Sequence, residues 1–137
     1  MTDFKVLLVD DEKDFRSTLL KRLRHRGLDV ADAGSGEEAL DYLAGNQADV
    51  VLLDVKMPGM GGVAALVEIR RLHPDVEVVM LTGHADMEAA INGLEQGAFD
   101  YLMKPMDIDV ILFKLQDAYK RRQLNEQARQ EKEGKQH

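Results

Sequence analysis

Asp10-Asp11, Asp54, Thr82 and Lys104 each follow directly on a short, mostly apolar run: Val6 to Val9, Val50 to Leu53, Val76 to Leu81 and Phe99 to Met103. Three carboxylates brought to one place repel one another, and at least one holds its proton more tightly unless a cation joins them. Mg2+ suits such a set: it is hard, prefers oxygen, and is typically held by one or two carboxylates plus a phosphate. Lys104 adds a second positive point placed to meet a phosphate oxygen. Thr82 adds a hydroxyl that can donate to one. Cation, lysine and hydroxyl together describe a site that stabilises a phosphoryl group in transfer. The nucleophile would be one of the carboxylates, and aspartyl-phosphate chemistry is an established use of Asp. Taken singly, each residue also fits a turn, a helix cap or a loop. Their common placement at strand ends carries the chemical reading.

The elements between these residues alternate. The first apolar run reads as a strand covered on both faces. Phe15, Leu19, Leu20 and Leu23 follow at helical spacing and Gly27 closes that helix. Leu28 to Ala33 reads as a second strand, ending at Ala33-Gly34 with nothing reactive. Ser35 and Glu38 form a capping box for a helix carrying Ala39, Leu40 and Leu43. After Asp54 comes a loop, Met57-Pro58-Gly59-Met60-Gly61-Gly62, then a helix to about Leu72 that stops before Pro74. Met87, Ala90, Ile91 and Leu94 mark a fourth helix, stopped by Gly97. Asp107 caps a fifth, with Met106 and Ile111 placed as a hydrophobic staple. Strand and helix therefore alternate five times, which gives an α/β doubly wound parallel sheet with helices on both faces. Ligands bind such sheets beyond the carboxyl ends of the strands, where the strand order reverses.

Composition narrows the function classes. The 137 residues fit one domain, and 45% hydrophobic residues are enough for a core. Cysteine is absent, so there is no disulfide scaffold and no thiolate metal site. Net charge is −7, which argues against a surface built to grip nucleic acid. No apolar run approaches the roughly 20 residues of a membrane span, and Met1 to Lys5 lacks the pattern of a signal peptide. A cytoplasmic protein with no membrane partner and no direct nucleic-acid binding is expected. Residues 120–137 hold six Lys or Arg against three Glu, with Leu124 and Ala128 the only apolar residues. They read as the end of the last helix running into a flexible polar tail, outside a domain at residues 1–119.

The strand-end motifs resemble those of a response-regulator receiver domain, the phosphorylated module of two-component signalling. The matching segments are Leu8-Val9-Asp10-Asp11, Leu53-Asp54-Val55-Lys56-Met57-Pro58-Gly59-Met60, Leu81-Thr82-Gly83-His84 and Tyr101-Leu102-Met103-Lys104-Pro105. The resemblance covers about residues 4–119. It implies a flavodoxin-like sheet of order 2-1-3-4-5 with five surrounding helices. It implies that Asp54 is the phosphoacceptor, charged by a histidine kinase or phosphotransfer protein. Asp10, Asp11, the Asp54 carboxylate and the Lys56 carbonyl would hold Mg2+, with Mn2+ as an alternative. Lys104 and Thr82 would bind the phosphoryl group, with a cis bond to Pro105. Thr82 and Tyr101 would form a switch pair, and Lys56 and His84 would tune the phosphoryl lifetime. Where the family often has a polar helix cap, this chain has Gly61 or Gly62, so a looser loop is expected there.

Single residues count against two other readings, which turnover of free phosphate esters or a flavin spectrum would revive. An aspartyl-phosphate phosphatase usually needs a second Asp two residues after the first, and Lys56 stands there. A flavodoxin-like cofactor binder would need a hydroxyl- and Gly-rich loop where this chain has Asp10-Asp11-Glu12. The output is open: Thr82 to Asp86 and Tyr101-Leu102 resemble receivers joined to ATPase-type transcription activators, so a receiver within a larger activator is an alternative to a single-domain regulator. Ile108, Ile111, Leu112, Leu115 and Ala118 make the sheet-facing stripe of the fifth helix. Val110 and Phe113 lie off it and are expected to present a partner face, for a target protein or a second copy of the chain, at helix 4, strand 5 and helix 5.

Overall fold

The computed structural model describes residues 4–134. Met1 to Asp3, and the last three residues of the expected tail, lie outside the described residues. Five strands, β1 (Lys5–Val9), β2 (Asp29–Ala33), β3 (Val50–Asp54), β4 (Glu77–Thr82) and β5 (Asp100–Met103), form one sheet of order β2-β1-β3-β4-β5. Every pairing is parallel, and the register sets Val9 beside Leu53 and Thr82 beside Met103. The helices are α1 (Lys13–His25), α2 (Gly36–Gly45), α3 (Gly62–Leu72), α4 (Met87–Glu95) and α5 (Ile108–Gly134), with a single 3-10 turn over His84–Asp86 leading into α4.

The continuous apolar runs follow from this layering. Alternate residues of a strand point to opposite faces. Leu7, Val9, Val51, Leu53, Val78 and Met80 pack against Ala39 and Leu43 of α2, Ala65, Leu66 and Ile69 of α3, and Ala90 of α4. Val6, Leu8, Val50, Leu52, Val79 and Leu81 pack against Leu19 and Leu23 of α1 and Ile111, Leu115 and Ala118 of α5. A strand covered on both sides favours apolar residues, so Val6–Val9, Val50–Leu53 and Val78–Leu81 run unbroken up to the carboxyl ends of β1, β3 and β4.

Local signals set the helix starts. The Ser35 hydroxyl accepts from the Glu38 N–H at 3.1 Å, as a capping box requires. The Glu38 carboxylate reaches back one residue further than the usual box, to the Gly34 N–H at 2.6 Å. The Asp107 carbonyl accepts from the N–H groups of Val110 and Ile111, and Met106 packs on the core beneath α5.

Two expectations are corrected. The fifth helix does not fray into a tail near residue 120: α5 continues unbroken to Gly134. Extending a helix that has already formed costs little per residue, and Gln123 to Lys132 is rich in good helix formers. Arg122 pairs with Asp49 at 3.1 Å and with Glu126 at 3.3 Å, and Arg129 pairs with Asp75, so the extension is held to the base of the sheet by charge.

The loop before α3 is not loosened by its glycines. Gly61 caps α3 at φ +78, a conformation that favours glycine. Gly62 lies flat on the end of β3: a Cβ there would stand 2.6 Å from the Val55 Cα and would meet the Asp54 carbonyl oxygen. Its N–H donates to the Val55 carbonyl at 3.1 Å. The glycine pair makes a tight joint directly behind Asp54.

Candidate functional site

Asp10, Asp54 and Thr82 lie at the carboxyl ends of the three central strands and are almost fully buried, at 0%, 6% and 1% exposure. Asp11 is exposed at the mouth. One carboxylate oxygen from each of Asp10, Asp11 and Asp54 falls within 4.8 Å of the others. The Lys104 ammonium reaches in from the end of β5, 3.5 Å from Asp10 Oδ2 and 3.6 Å from Asp54 Oδ1. The structure thus gathers four of the five residues that the strand ends singled out.

Burial pushes the Asp54 carboxyl up to about 6, the neighbouring Asp10 adds to the rise, and Lys104 pulls only partly the other way. Three carboxylates against one ammonium leave an excess of negative charge in a largely dry cleft. A divalent cation relieves that excess, so the donor set fits a hard cation.

Two of the three carboxylates are held by the backbone of the loops that follow them. The Glu12 N–H donates to Asp10 Oδ1 at 2.8 Å, and the Lys56 N–H donates to Asp54 Oδ1 at 3.3 Å. The Lys56 side chain is exposed at a shallow cleft shared with Asp11, Glu12, Met57 and Pro58. His84 is exposed on the 3-10 turn. The Thr82 hydroxyl donates to the Gly83 carbonyl at 3.1 Å. The Lys104–Pro105 bond is cis. Tyr101 is half-buried against the α2–α3–α4 side of the core. Val110 and Phe113 of α5 are 46% and 64% exposed, and Ile91 and Leu94 of α4 are exposed as well.

Two residues of the site were not visible in the sequence. Phe15 reads there as one more apolar residue of the α1 stripe. In the structure its ring lies 4.4 Å beneath the Lys104 ammonium, where a π face attracts a cation. Arg16 carries no signal in the sequence, yet its guanidinium reaches the Asp10 carbonyl at 2.7 Å and Asp32 Oδ2 at 2.9 Å.

Comparison with known proteins agrees with this geometry. The family model described as the response regulator receiver domain matches residues 6–116. The DNA-binding transcriptional regulator NtrC of Klebsiella pneumoniae is 45% identical over 102 residues, which is 74% of this chain and 22% of that regulator. The C4-dicarboxylate transport transcriptional regulatory protein DctD of Rhizobium meliloti is 34% identical over 119 residues, 87% of this chain and 26% of that protein. The chain thus spans about a quarter of the length of the curated relatives it matches. Among solved structures, the receiver domain of NtrX from Brucella abortus superposes with a TM-score of 0.80 at 32% identity, covering 84% of this chain and 98% of that one.

Proposed function

This chain belongs to the response regulator receiver domain family, a signalling module of two-component systems, and we propose that within it Asp54 is the phosphoacceptor. The observation that carries the reading is the convergence of Asp10, Asp11 and Asp54 with Lys104 at one end of the sheet. The donor is a phosphohistidine of a kinase or phosphotransfer protein. An Asp54 oxygen attacks phosphorus, the donor's P–N bond breaks, the imidazole leaves with the bond's electron pair, and an acyl phosphate remains on Asp54. The Lys104 ammonium meets a phosphoryl oxygen, and Thr82 turns its hydroxyl towards another. Asp10, Asp11 and Asp54, with the Lys56 carbonyl, would hold Mg2+, for which Mn2+ could substitute. When bound, the cation neutralises charge that builds up on the transferring oxygens.

The chain itself turns over no external substrate beyond taking phosphoryl groups from small donors and losing them to water. Its output passes through α4, β5 and α5 to a protein partner or a second copy. None of the helices among the described residues is long and apolar enough to cross a membrane, and we place the domain in the cytoplasm with its kinase. Incubation with acetyl phosphate or beryllofluoride, with and without Mg2+, tests the assignment. Wild type is expected to be labelled only with Mg2+, and Asp54→Asn not at all. Equal labelling of the two proteins, or full labelling in EDTA, overturns it.

A further inference from the structure

The turn that carries Asp10 and Asp11 is pinned from outside the acidic cluster. The Asp10 N–H donates to the Ala33 carbonyl of β2 at 3.1 Å. The Asp10 carbonyl accepts from Arg16 Nη1 at 2.7 Å, and Arg16 Nε donates to Asp32 Oδ2 at 2.9 Å. The Arg16 N–H in turn donates to the Glu12 carbonyl at 2.9 Å, which fixes the root of its side chain on the same turn. Gly34 leaves room for the guanidinium: a Cβ there would stand 2.9 Å from Arg16 Nη1. One planar side chain therefore ties the end of β1 to the end of β2.

We propose that Arg16 is a positioning residue for the divalent-cation site, acting through the peptide between Asp10 and Asp11. That peptide has one rotational freedom that matters for metal binding. Its carbonyl belongs to Asp10 and its nitrogen to Asp11, so holding the carbonyl fixes the peptide plane and with it the Asp11 Cα from which the carboxylate extends. Asp11 is exposed, with no packing of its own to hold it. A charge-assisted hydrogen bond from a fork already anchored on Asp32 supplies that constraint. Lysine keeps the charge but, as a point donor, cannot span both acceptors in a fixed plane. Outer partners that orient metal ligands typically change affinity by about 10- to 100-fold. The inference rests on the acidic cluster being the cation site.

Mn2+ binding, followed by the electron paramagnetic resonance of the free ion, tests it in Arg16→Lys, Asp32→Asn and wild type. Melting without metal is measured alongside. Arg16→Lys is expected to weaken Mn2+ by about tenfold while still melting cooperatively. Asp32→Asn, which keeps the arginine but loosens its anchor, is expected to weaken it by a smaller factor. A purely structural role would lower the melting temperature and leave the affinity of the folded protein unchanged. Wild-type Mn2+ affinity in a folded Arg16→Lys overturns the Arg16 role alone. Equal binding by wild type and Asp11→Asn overturns the cation-site reading, and the Arg16 role with it.

Discussion

The Lys104 ammonium stands 3.6 Å from Asp54 Oδ1, yet it does not return that carboxyl to its ordinary titration range. Burial and Asp10 outweigh it and hold the group at about 6 instead of 3.8. A raised folded-state value means that the folded protein binds this proton more tightly than the unfolded chain. Stability from this group is therefore greatest below 3.8, falls as pH rises through 6, and is fully lost above. Asp54→Asn is expected to melt higher than wild type at pH 7.5 without metal, by at most about 3 kcal/mol. The gain should vanish below pH 4. Saturating Mg2+ should raise the wild-type melting temperature much more than that of Asp54→Asn. Thermal scans from about pH 3 to 8, with and without the ion, check all three points; a gain independent of pH refutes the account.

Gly62 makes the second prediction. Its missing Cβ would meet backbone of Asp54 and Val55, which cannot swing aside as a side chain can. Gly62→Ala must push α3 off the end of β3, at a cost of about 1–3 kcal/mol or more. Because the displaced backbone is that of Asp54 itself, labelling by acetyl phosphate should slow as well. Gly61, at φ +78 and ψ 160 with room for a Cβ, is held by backbone conformation alone, so Gly61→Ala and Gly61→Asn should each cost about 1–3 kcal/mol through strain. Chemical denaturation of the three variants ranks them. Equal stability of Gly62→Ala and wild type contradicts the close joint.

The strand ends were legible in the sequence for a physical reason. β1, β3 and β4 are sealed on both faces, so the first polar residue after each apolar run marks the sheet edge where a site can form. Asp10, Asp54 and Thr82 were readable on that ground, and Lys104 by the same logic in the half-buried edge strand β5. The α5 extension was not legible. Its partners Asp49 and Asp75 lie far back in the chain, and pairs of that span leave no local pattern. The scarcity of apolar residues between 120 and 137 signals a tail, because the ion pairs that hold the extension join residues distant in the chain. Gly61-Gly62 was misread because a glycine serves equally for slack and for close approach, and only the neighbouring backbone decides.

Thr82 and α4 are joined through one acceptor. The Gly83 carbonyl takes both the Thr82 hydroxyl at 3.1 Å and the Asp86 N–H at 3.1 Å, and the latter closes the 3-10 turn that leads into α4. Turning the hydroxyl towards a phosphoryl group removes one of two bonds on that carbonyl, a change of about 0.5–1.5 kcal/mol. That is a bias of up to about tenfold on a helix of nine residues. Hydrogen exchange of residues 84–97 is expected to change on addition of beryllofluoride with Mg2+. Thr82→Ala should bind the analogue yet show little of that change. Unaltered exchange in wild type rules out this route.

Lys56 and His84 border the site without touching Asp54 through their side chains. Lys56 is placed to fold over the mouth beside Asp11, where it would hinder water from reaching the acyl phosphate. Lys56→Ala is expected to lose its phosphoryl group faster, by between about twofold and tenfold, or ~0.4–1.4 kcal/mol of barrier. His84→Ala should move the rate in the same direction by less, since its side chain starts from an exposed turn. Decay of the labelled proteins after removal of the donor gives both rates. Decay of both variants at the wild-type rate shows that the side chains point to solvent throughout.

Phe113 and Val110 present apolar surface at 64% and 46% exposure on α5, while Ile91 and Leu94 do so on α4. These two helices flank β5, which carries Tyr101, on opposite faces of the sheet edge. The sheet-facing stripe of α5, from Ile108 to Ala118, is already buried, so the core has no use for Phe113. Lys114 does not cover it either, being paired with Asp100 at 2.6 Å. An exposed aromatic ring three residues from an exposed valine on one helix is the kind of residue that anchors a protein interface. Phe113→Glu replaces that exposed ring on α5 with a charge, and Phe113 is not among the residues of the acidic cluster. It should leave labelling of Asp54 and the melting temperature close to wild type. If activated chains pair through this face, their self-association should weaken by about 30-fold, or ~2 kcal/mol. Light scattering over a concentration series with beryllofluoride and Mg2+ measures the shift. A dimer mass for activated wild type and a monomer mass for Phe113→Glu support pairing of like chains. Dimers of equal strength place the contact elsewhere. Monomers of both leave the patch to a different protein, which activated wild type should then retain on a column and Phe113→Glu should not.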